Sequence, residues 1–288
     1  MFDVCVVGSA NLDLVATTAR LPAPGETVSG SAYAEYPGGK GLNQAVAAAR
    51  SGARTAFVGA IGTDGAADVL LSVMAHDHID AHRVRRVSAP TGRALIGVSA
   101  TGENSIIVVA GANAMVSIDE GHPLPAARVV LAQLEVPVAA VEAAFASARR
   151  HGAITVLNPA PAQPLDEGLL RECDVVVPNE HEVELLGGAS RLLQLGARAV
   201  VVTLGSRGAE LHRADGVLAM PAFAVQPVDT TAAGDSFCGA LCARLAAGDP
   251  IEVALRYAAG AGALCTTRAG AVPSIPRRAE VEAFIAAG

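Results

Sequence analysis

Short apolar runs rich in Val and Ile alternate along this chain with alanine-rich stretches whose apolar residues recur every three to four positions. Unbroken apolar runs bounded by turn residues are strands buried on both faces, the pattern of a parallel sheet covered by helices. Core strands are predicted at Val4 to Val7, Thr55 to Val58, Val129 to Leu131, Thr155 to Leu157, Val175 to Val177 and Ala199 to Thr203. Helices are predicted near Asn43 to Ser51, Ala66 to Ala75, Val138 to Arg150 and Val183 to Leu186. After Asp235 one helix follows another, the second from Ile251 to Cys265. Two regions, 13–36 and 91–109, break the parallel scheme. Extended segments around Ala94 to Val98 and Ile106 to Val109 flank a Thr101-Gly102-Glu103-Asn104 turn, which predicts a small sheet protruding from the main one. With no repeat, low-complexity tail or linker, a single α/β domain over residues 1–288 is expected.

Two segments carry chemistry. In Asp229-Thr230-Thr231-Ala232-Ala233-Gly234-Asp235-Ser236-Phe237 a carboxylate stands at a small-residue turn opening a helix, with apolar Phe237, Leu241, Cys242 and Leu245 at helical spacing. Unpaired N–H groups and the helix dipole favour an anion there, so Ala232, Ala233 and Gly234 could cradle one with Asp235 as a base in reach. An ordinary N-cap explains the segment equally well. If the backbone of Ala232 carries the anion, alanine suits the position only with a negative φ. The second segment, Tyr36-Pro37-Gly38-Gly39-Lys40-Gly41-Leu42-Asn43, is a glycine-rich entry to a helix that stops at Gly52. It lacks the Walker spacing of a P-loop.

A formal charge of −7 and 17% charged residues leave no basic patch for nucleic acid, so only a small anion held by local donors is expected. The 51% hydrophobic residues are ample for a core, and with 3% aromatics and no Trp the packing falls to Ala, Val and Leu. Five cysteines, Cys5, Cys173, Cys238, Cys242 and Cys265, lack C-x-x-C spacing and read as buried reduced thiols. Residues Met1 to Val7 read as a strand rather than a signal peptide, and no apolar run reaches the ~18 residues of a membrane span. A cytoplasmic protein without membrane contact is therefore expected. His76, His78 and His82 cluster where a helix yields to a loop, and they read as solvated surface rather than a metal site.

The two segments together resemble the signature regions of the PfkB carbohydrate kinase family, and the residues between them resemble its ribokinase branch. Val7-Gly8-Ser9-Ala10-Asn11-Leu12-Asp13, Leu21-Pro22-Ala23-Pro24-Gly25-Glu26-Thr27, Gln133-Leu134-Glu135, Leu157-Asn158-Pro159-Ala160-Pro161, Pro178-Asn179-Glu180-His181-Glu182 and Thr203-Leu204-Gly205-Ser206-Arg207-Gly208 follow in the branch's order. The resemblance implies a ribokinase-like three-layer α/β/α fold, with a mainly parallel central sheet and a protruding β-sheet lid from about 13–36 and 91–109. It implies phosphoryl transfer from ATP to O5 of D-ribose, with Asp235 as general base and an anion hole from Ala232, Ala233 and Gly234. The resemblance assigns the sugar to Asn11, Asp13, Gly39, Lys40, Asn43, Glu135 and Asp235. It assigns the phosphates and Mg²⁺ to Asn179 and Glu182, largely through water, with Thr203, Gly205, Ser206, Gly208 and Gly234 binding ATP and Ala259 lining the adenine pocket. A K⁺ ion is implied at Asp229, Thr231, Cys265, Arg268, Gly270 and Ser274, and a homodimer through edge pairing of the lid.

Structural alternatives stand beside these roles. Asn11 and Asp13 could cap a turn, Lys40 could be a solvated charge, Glu135 a surface residue, the 203–208 turn a hairpin loop and Asp229 an Asx-turn acceptor. Other acceptors fit the same pattern, among them 2-deoxyribose, another sugar or a nucleoside, and so does a sugar-binding regulator without catalysis. The turn, the carboxylate and the Asn179/Glu182 pair are superfluous in a regulator. A dinucleotide oxidoreductase is excluded because no Gly-x-Gly-x-x-Gly follows the first strand. Residues 189–196 leave room for only about two helical turns where ribokinases carry a longer helix.

Overall fold

A computed structural model describes residues 1–287. Strand β1 (Phe2–Val7) leads into β2 (Asn11–Thr18), β3 (Gly30–Gly38) and helix α1 (Lys40–Arg50). Next come β4 (Thr55–Ile61), α2 (Gly65–His76), β5 (Asp80–Arg86), β6 (Gly92–Ser99) and β7 (Asn104–Val109). The middle of the chain forms β8 (Ala127–Ala132), α3 (Val138–Arg150), β9 (Ile154–Leu157), α4 (Glu167–Arg171), β10 (Val175–Val176), α5 (Glu180–Leu185) and α6 (Ala189–Gln194). It ends with β11 (Ala199–Thr203), β12 (Ala209–Arg213), β13 (Gly216–Met220), α7 (Ala233–Ala246), α8 (Ile251–Cys265) and α9 (Arg278–Ala287).

Nine strands form one sheet in the order β13-β12-β11-β10-β9-β8-β1-β4-β5. It is parallel from β11 to β5, and β12 and β13 add an antiparallel edge. The period of two along β1 shows how one strand serves two cores. Val4 and Val6 pack with α1, α2, α7 and α8, whereas Cys5 and Val7 pack with α3, α4 and α6. All four are fully buried, so the strand reads as a continuous apolar run. The fold class is therefore the expected three-layer α/β/α arrangement.

A separate four-stranded sheet, ordered β3-β2-β6-β7, stands off the main one. β2 runs parallel to β6, and β3 and β7 are antiparallel edges. Because β2 starts at Asn11, four residues after β1 ends at Val7, the junction of the two sheets falls at the 8–11 loop. Two parts of the main sheet were not legible. β5 reads Asp-Ala-His-Arg-Val-Arg-Arg, a charged edge strand whose side chains protect an exposed border. β13 is mostly exposed and lacks a buried run. The short α6 matches the room expected over 189–196.

Candidate active site

The start of α1 is pressed against the 8–11 loop, and only glycine allows it. Gly39 has φ 89°, and a Cβ there would lie 2.8 Å from the Asn11 amide nitrogen. At Gly41 a Cβ would lie 2.5 Å from the Ser9 nitrogen, and at Gly38 it would strike the Asp13 carboxylate. This close approach brings Glu135, from the loop after β8, to the helix N-terminus. Its Oε2 accepts from Ser9 Oγ at 2.5 Å and from the Lys40 amide at 3.1 Å. A carboxylate is stabilised at that dipole end. Asn11 is buried at the start of β2, and its Oδ1 accepts from Asn113 Nδ2 at 2.7 Å. Asp13 follows two residues on, half-buried on the same face of β2.

Asp235 lies in the first turn of α7 and is 8% exposed. Its Oδ1 accepts from Gln44 Nε2 at 2.8 Å and its Oδ2 from Asn43 Nδ2 at 3.0 Å. Gly239 makes this alignment possible, because a Cβ there would come within 2.6 Å of Ala47 Cβ and would also strike the Gln44 carbonyl. Helices α1 and α7 thus meet backbone to backbone one turn from the carboxylate.

The turn before α7 corrects one expectation. Ala232 has φ 60° and ψ 9°, a left-handed conformation, not the negative φ expected of an alanine there. The strain holds the chain so that Ser236 N–H reaches back to the Ala232 carbonyl at 2.7 Å and the helix begins abruptly. The donors also differ from the expected trio. The Ala233 amide donates to Thr230 O at 3.2 Å, while those of Ala232, Gly234 and Asp235 have no partner among the described residues.

Charge is concentrated around this point. Burial, then the Glu135 and Asp235 charges, pushes the Asp13 carboxyl up to about 7. For Lys40, burial alone would lower the ammonium, but Asp235, Glu135 and Glu182 outweigh it and hold the group above its usual value. No carboxylate lies within 4.0 Å of it among the described residues, so its charge is shared rather than paired. Burial raises Glu182 above the usual carboxylate range despite the Asn179 amide and Lys40.

Asn179 and Glu182 form a capping box at the start of α5. Asn179 Oδ1 accepts from the Glu182 amide at 2.7 Å, and Glu182 Oε2 accepts from the Asn179 amide at 2.8 Å. One Glu182 oxygen and the Asn179 amide group remain for a ligand. A desolvated carboxylate beside Lys40 fits the outer sphere of a hydrated Mg²⁺, which needs few protein ligands. Asn179 also bridges Thr203 at the end of β11. Gly205 to Gly208 then turn into β12, with Gly208 at φ 95° because any Cβ would strike the Met220 carbonyl. The hairpin alternative thus describes the turn's shape, while exposed Gly205 and Ser206 leave backbone open on it. Ala259 lies on α8, which packs against β13.

The residues expected around K⁺ meet in one corner. Asp229 Oδ1 accepts from the Thr231 amide at 2.9 Å and hydroxyl at 2.6 Å, and Oδ2 accepts from the Gly270 amide at 2.8 Å. Burial opposes ionisation of Asp229, but these donors hold its carboxyl below the usual range. Cys265 Sγ lies 3.0 Å from Ser274 Oγ and 3.7 Å from the Thr231 carbonyl. Arg268 turns its guanidinium to Glu280 at 2.5 Å. Oxygen-rich loops with one carboxylate suit a large monovalent ion.

Some functional contacts were missed from sequence. Asn113 sits in a short 3₁₀ turn after β7 and is 1% exposed, and Gln44, Gln133 and Asn158 form a buried polar cluster behind Asp235. His76, His78 and His82 are all exposed, with His82 beside Asp80 at 2.9 Å. A groove of about 410 Å³ lined by Leu165, Leu170, Leu185, Leu186 and Leu192 lies on the opposite helical layer from Asp235.

The whole chain has close relatives. It is 40% identical to a ribokinase of Staphylococcus aureus, covering 96% of this chain and 98% of that protein. The crystal structure of ribokinase from Thermotoga maritima superposes with a TM-score of 0.91 at 37% identity, covering 99% and 100% of the two chains. That of Arabidopsis thaliana ribokinase complexed with ribose and ATP superposes at 0.90 and 31% identity, covering 98% of each. The model of the pfkB family carbohydrate kinases matches residues 1–278, the stretch that contains every site residue described above, and the chain belongs to that family.

Proposed function

We propose that this enzyme transfers the γ-phosphoryl group of ATP to O5 of D-ribose, giving ribose 5-phosphate. The observation that carries the reading is Asp235, a buried carboxylate held by two amide side chains at a helix start whose first N–H groups are free of protein partners. Asp235 takes the proton of the attacking hydroxyl. The amides of Ala232, Gly234 and Asp235 meet the charge that develops on the transferred group as preorganised donors. Lys40, surrounded by carboxylates and paired with none, supplies a cation to the same phosphoryl oxygens.

Asn11, Asp13, Asn43 and Glu135 with the Gly39 backbone bind the sugar hydroxyls. The Asn43 Oδ1 atom is buried without a partner, the condition of an acceptor awaiting a hydroxyl. Asn179 and Glu182 would hold a hydrated Mg²⁺, and Thr203, Gly205, Ser206 and Gly208 with Ala259 would border the nucleotide. Bound Mg²⁺ would neutralise charge on the phosphates. Bound at the 229–274 corner, K⁺ would steady the loop that sets the Ala232 turn. The small sheet serves as a lid over the sugar. Its edge strand β7 exposes Ile106, Ile107, Val108 and Val109 at 46–61%, which supports pairing with a second copy. Use of ATP supports a cytoplasmic setting, and no described helix is long and apolar enough to cross a membrane.

The test is ADP release from MgATP with ribose, 2-deoxyribose, fructose, adenosine and pseudouridine, each in K⁺ or Na⁺. Ribose-dependent turnover that K⁺ enhances is expected. Turnover on a nucleoside alone would move the substrate, and sugar binding without ADP release would replace the kinase by a regulator.

A further inference from the structure

Behind Asp235, and meeting the site through it, lies a line of buried amide side chains. Gln44, in α1, is fully buried. Both of its N–H groups are used, one on Asp235 Oδ1 at 2.8 Å and one on Asn158 Oδ1 at 3.0 Å. Its oxygen accepts from Gln133 Nε2 at 2.5 Å. Asn158 in turn donates from Nδ2 to the Val177 carbonyl at 2.9 Å. Gln133 is also fully buried, and its Oε1 has no partner.

Amide orientation is assigned from hydrogen-bonding partners, and here the partners leave one solution. A backbone carbonyl only accepts, so Val177 obliges Asn158 to present Nδ2 to it and Oδ1 to Gln44. An ionised carboxylate only accepts, so Asp235 obliges Gln44 to present Nε2. Gln44 Oε1 must then accept, and Gln133 must present Nε2 to it. The residual cost is the orphan Gln133 oxygen, a buried acceptor that no donor reaches. Turning the Gln133 amide would set two carbonyl oxygens against each other. The chain of amides is therefore self-consistent with Asp235 Oδ1 held in this rotamer as an acceptor.

The geometry points to Gln44 as a positioning residue for Asp235, locked by Gln133 and Asn158, that holds the carboxylate aimed at the acceptor hydroxyl. It rests on the assignment of Asp235 as base made above. Charged and titratable groups face Asp235 from other elements as well, namely Lys40 at the start of α1, Asp13 on β2, Glu182 on α5, Cys238 one turn along α7 and Cys265 on α8. Of these only Lys40 carries positive charge, and the other four are carboxyl- or thiol-bearing. Asn43 differs from Gln44 because it has a free oxygen on the sugar side and so acts on binding too.

The experiment compares wild type, Gln44→Leu, Gln44→Glu and Gln133→Leu by kcat and KM for ribose from pH 5.5 to 9 at saturating MgATP. Loss of one hydrogen bond to a charged group should lower kcat of Gln44→Leu by about 10- to 100-fold, with KM for ribose changed less than about threefold. Its acidic limb should move to higher pH, since removing a donor raises the carboxylate. In Gln44→Glu two carboxylates would share a proton, so the limb should move up by more than about one pH unit and activity should recover in base. Gln133→Leu frees the Gln44 amide to turn and should shift the limb in the same direction. Should either Gln44 variant fail to fold, the shift in Gln133→Leu decides by the same criterion. A wild-type acidic limb in the folded variants, or a loss confined to KM, would overturn the role of Gln44. Wild-type enzyme that releases no ADP with ribose would instead overturn the proposed function.

Discussion

Asp13→Asn separates what the site does for the sugar from what it costs the fold. The Asp13 carboxyl, pushed up to about 7 by burial and then by Glu135 and Asp235, accepts no hydrogen bond from the described residues. Its folded value is raised, so the folded state binds the proton more tightly than the unfolded chain, whose value is near 4. The resulting stabilisation is complete below pH ~4 and is lost as pH rises through 7. A gap of about three units corresponds to ~4 kcal/mol as a ceiling, and relaxation with water in an open cleft should reduce it to ~2 kcal/mol. Asparagine removes the titration without changing shape. By differential scanning fluorimetry Asp13→Asn should melt about 5 °C higher than wild type at pH 8, with the difference vanishing near pH 4. Ribose affinity should fall by more than about 100-fold, because a hydroxyl-binding carboxylate is gone. In the wild type, KM for ribose should rise about tenfold from pH 7.5 to 6, as the ionised fraction shrinks. A flat KM across that range, or an Asp13→Asn enzyme no more stable at pH 8, would refute the reasoning.

Gly239→Ala should destabilise the enzyme by ~2 kcal/mol or more in urea and lower kcat more than KM, since α1 and α7 must part where Gln44 and Asn43 meet Asp235. Ala232→Gly should be neutral or gain up to ~1 kcal/mol with kcat within about threefold, because relief of the left-handed strain is partly offset by a freer unfolded chain. Ala232→Val should lose ~2 kcal/mol in the same denaturation assay, because a β-branched residue resists φ 60°. Asp229→Ala leaves the Thr231 and Gly270 amides without their acceptor and should abolish any preference for K⁺ over Na⁺ in ADP release. Asp229 is held low, so its contribution to stability is present at neutral pH and is lost as pH falls through its folded value.

The central strands and the long helices were legible because burial on both faces leaves an unmistakable run of Val, Ile, Leu and Ala. Helices Val138–Arg150 and Ile251–Cys265 agree residue for residue with the periodicity. Edge elements were not, since β5 and β13 have solvent on one side and no fixed composition to reveal them. The glycine-rich segments were legible as turns opening helices, but their backbone conformation was not. Nothing local to Ala232 betrays a left-handed alanine, because the strain is imposed by Thr230, Ser236 and the packing of α7. Asn179-x-x-Glu182 carried a readable capping-box signature beside its expected role with metal and phosphate. The amides of Gln44, Gln133, Asn158 and Asn113 were invisible as a group, because they are far apart in sequence and only folding makes them neighbours.

Phosphoryl transfer by Asp235 is tested most directly by pairing calorimetric ribose binding with phosphate transfer from ³²P-labelled ATP, in wild type and Asp235→Asn. Wild type should form labelled ribose 5-phosphate, and the variant should bind ribose within about tenfold yet transfer at least 10²- to 10⁴-fold more slowly. A variant that binds ribose and still transfers within about tenfold of the wild-type rate would contradict the account.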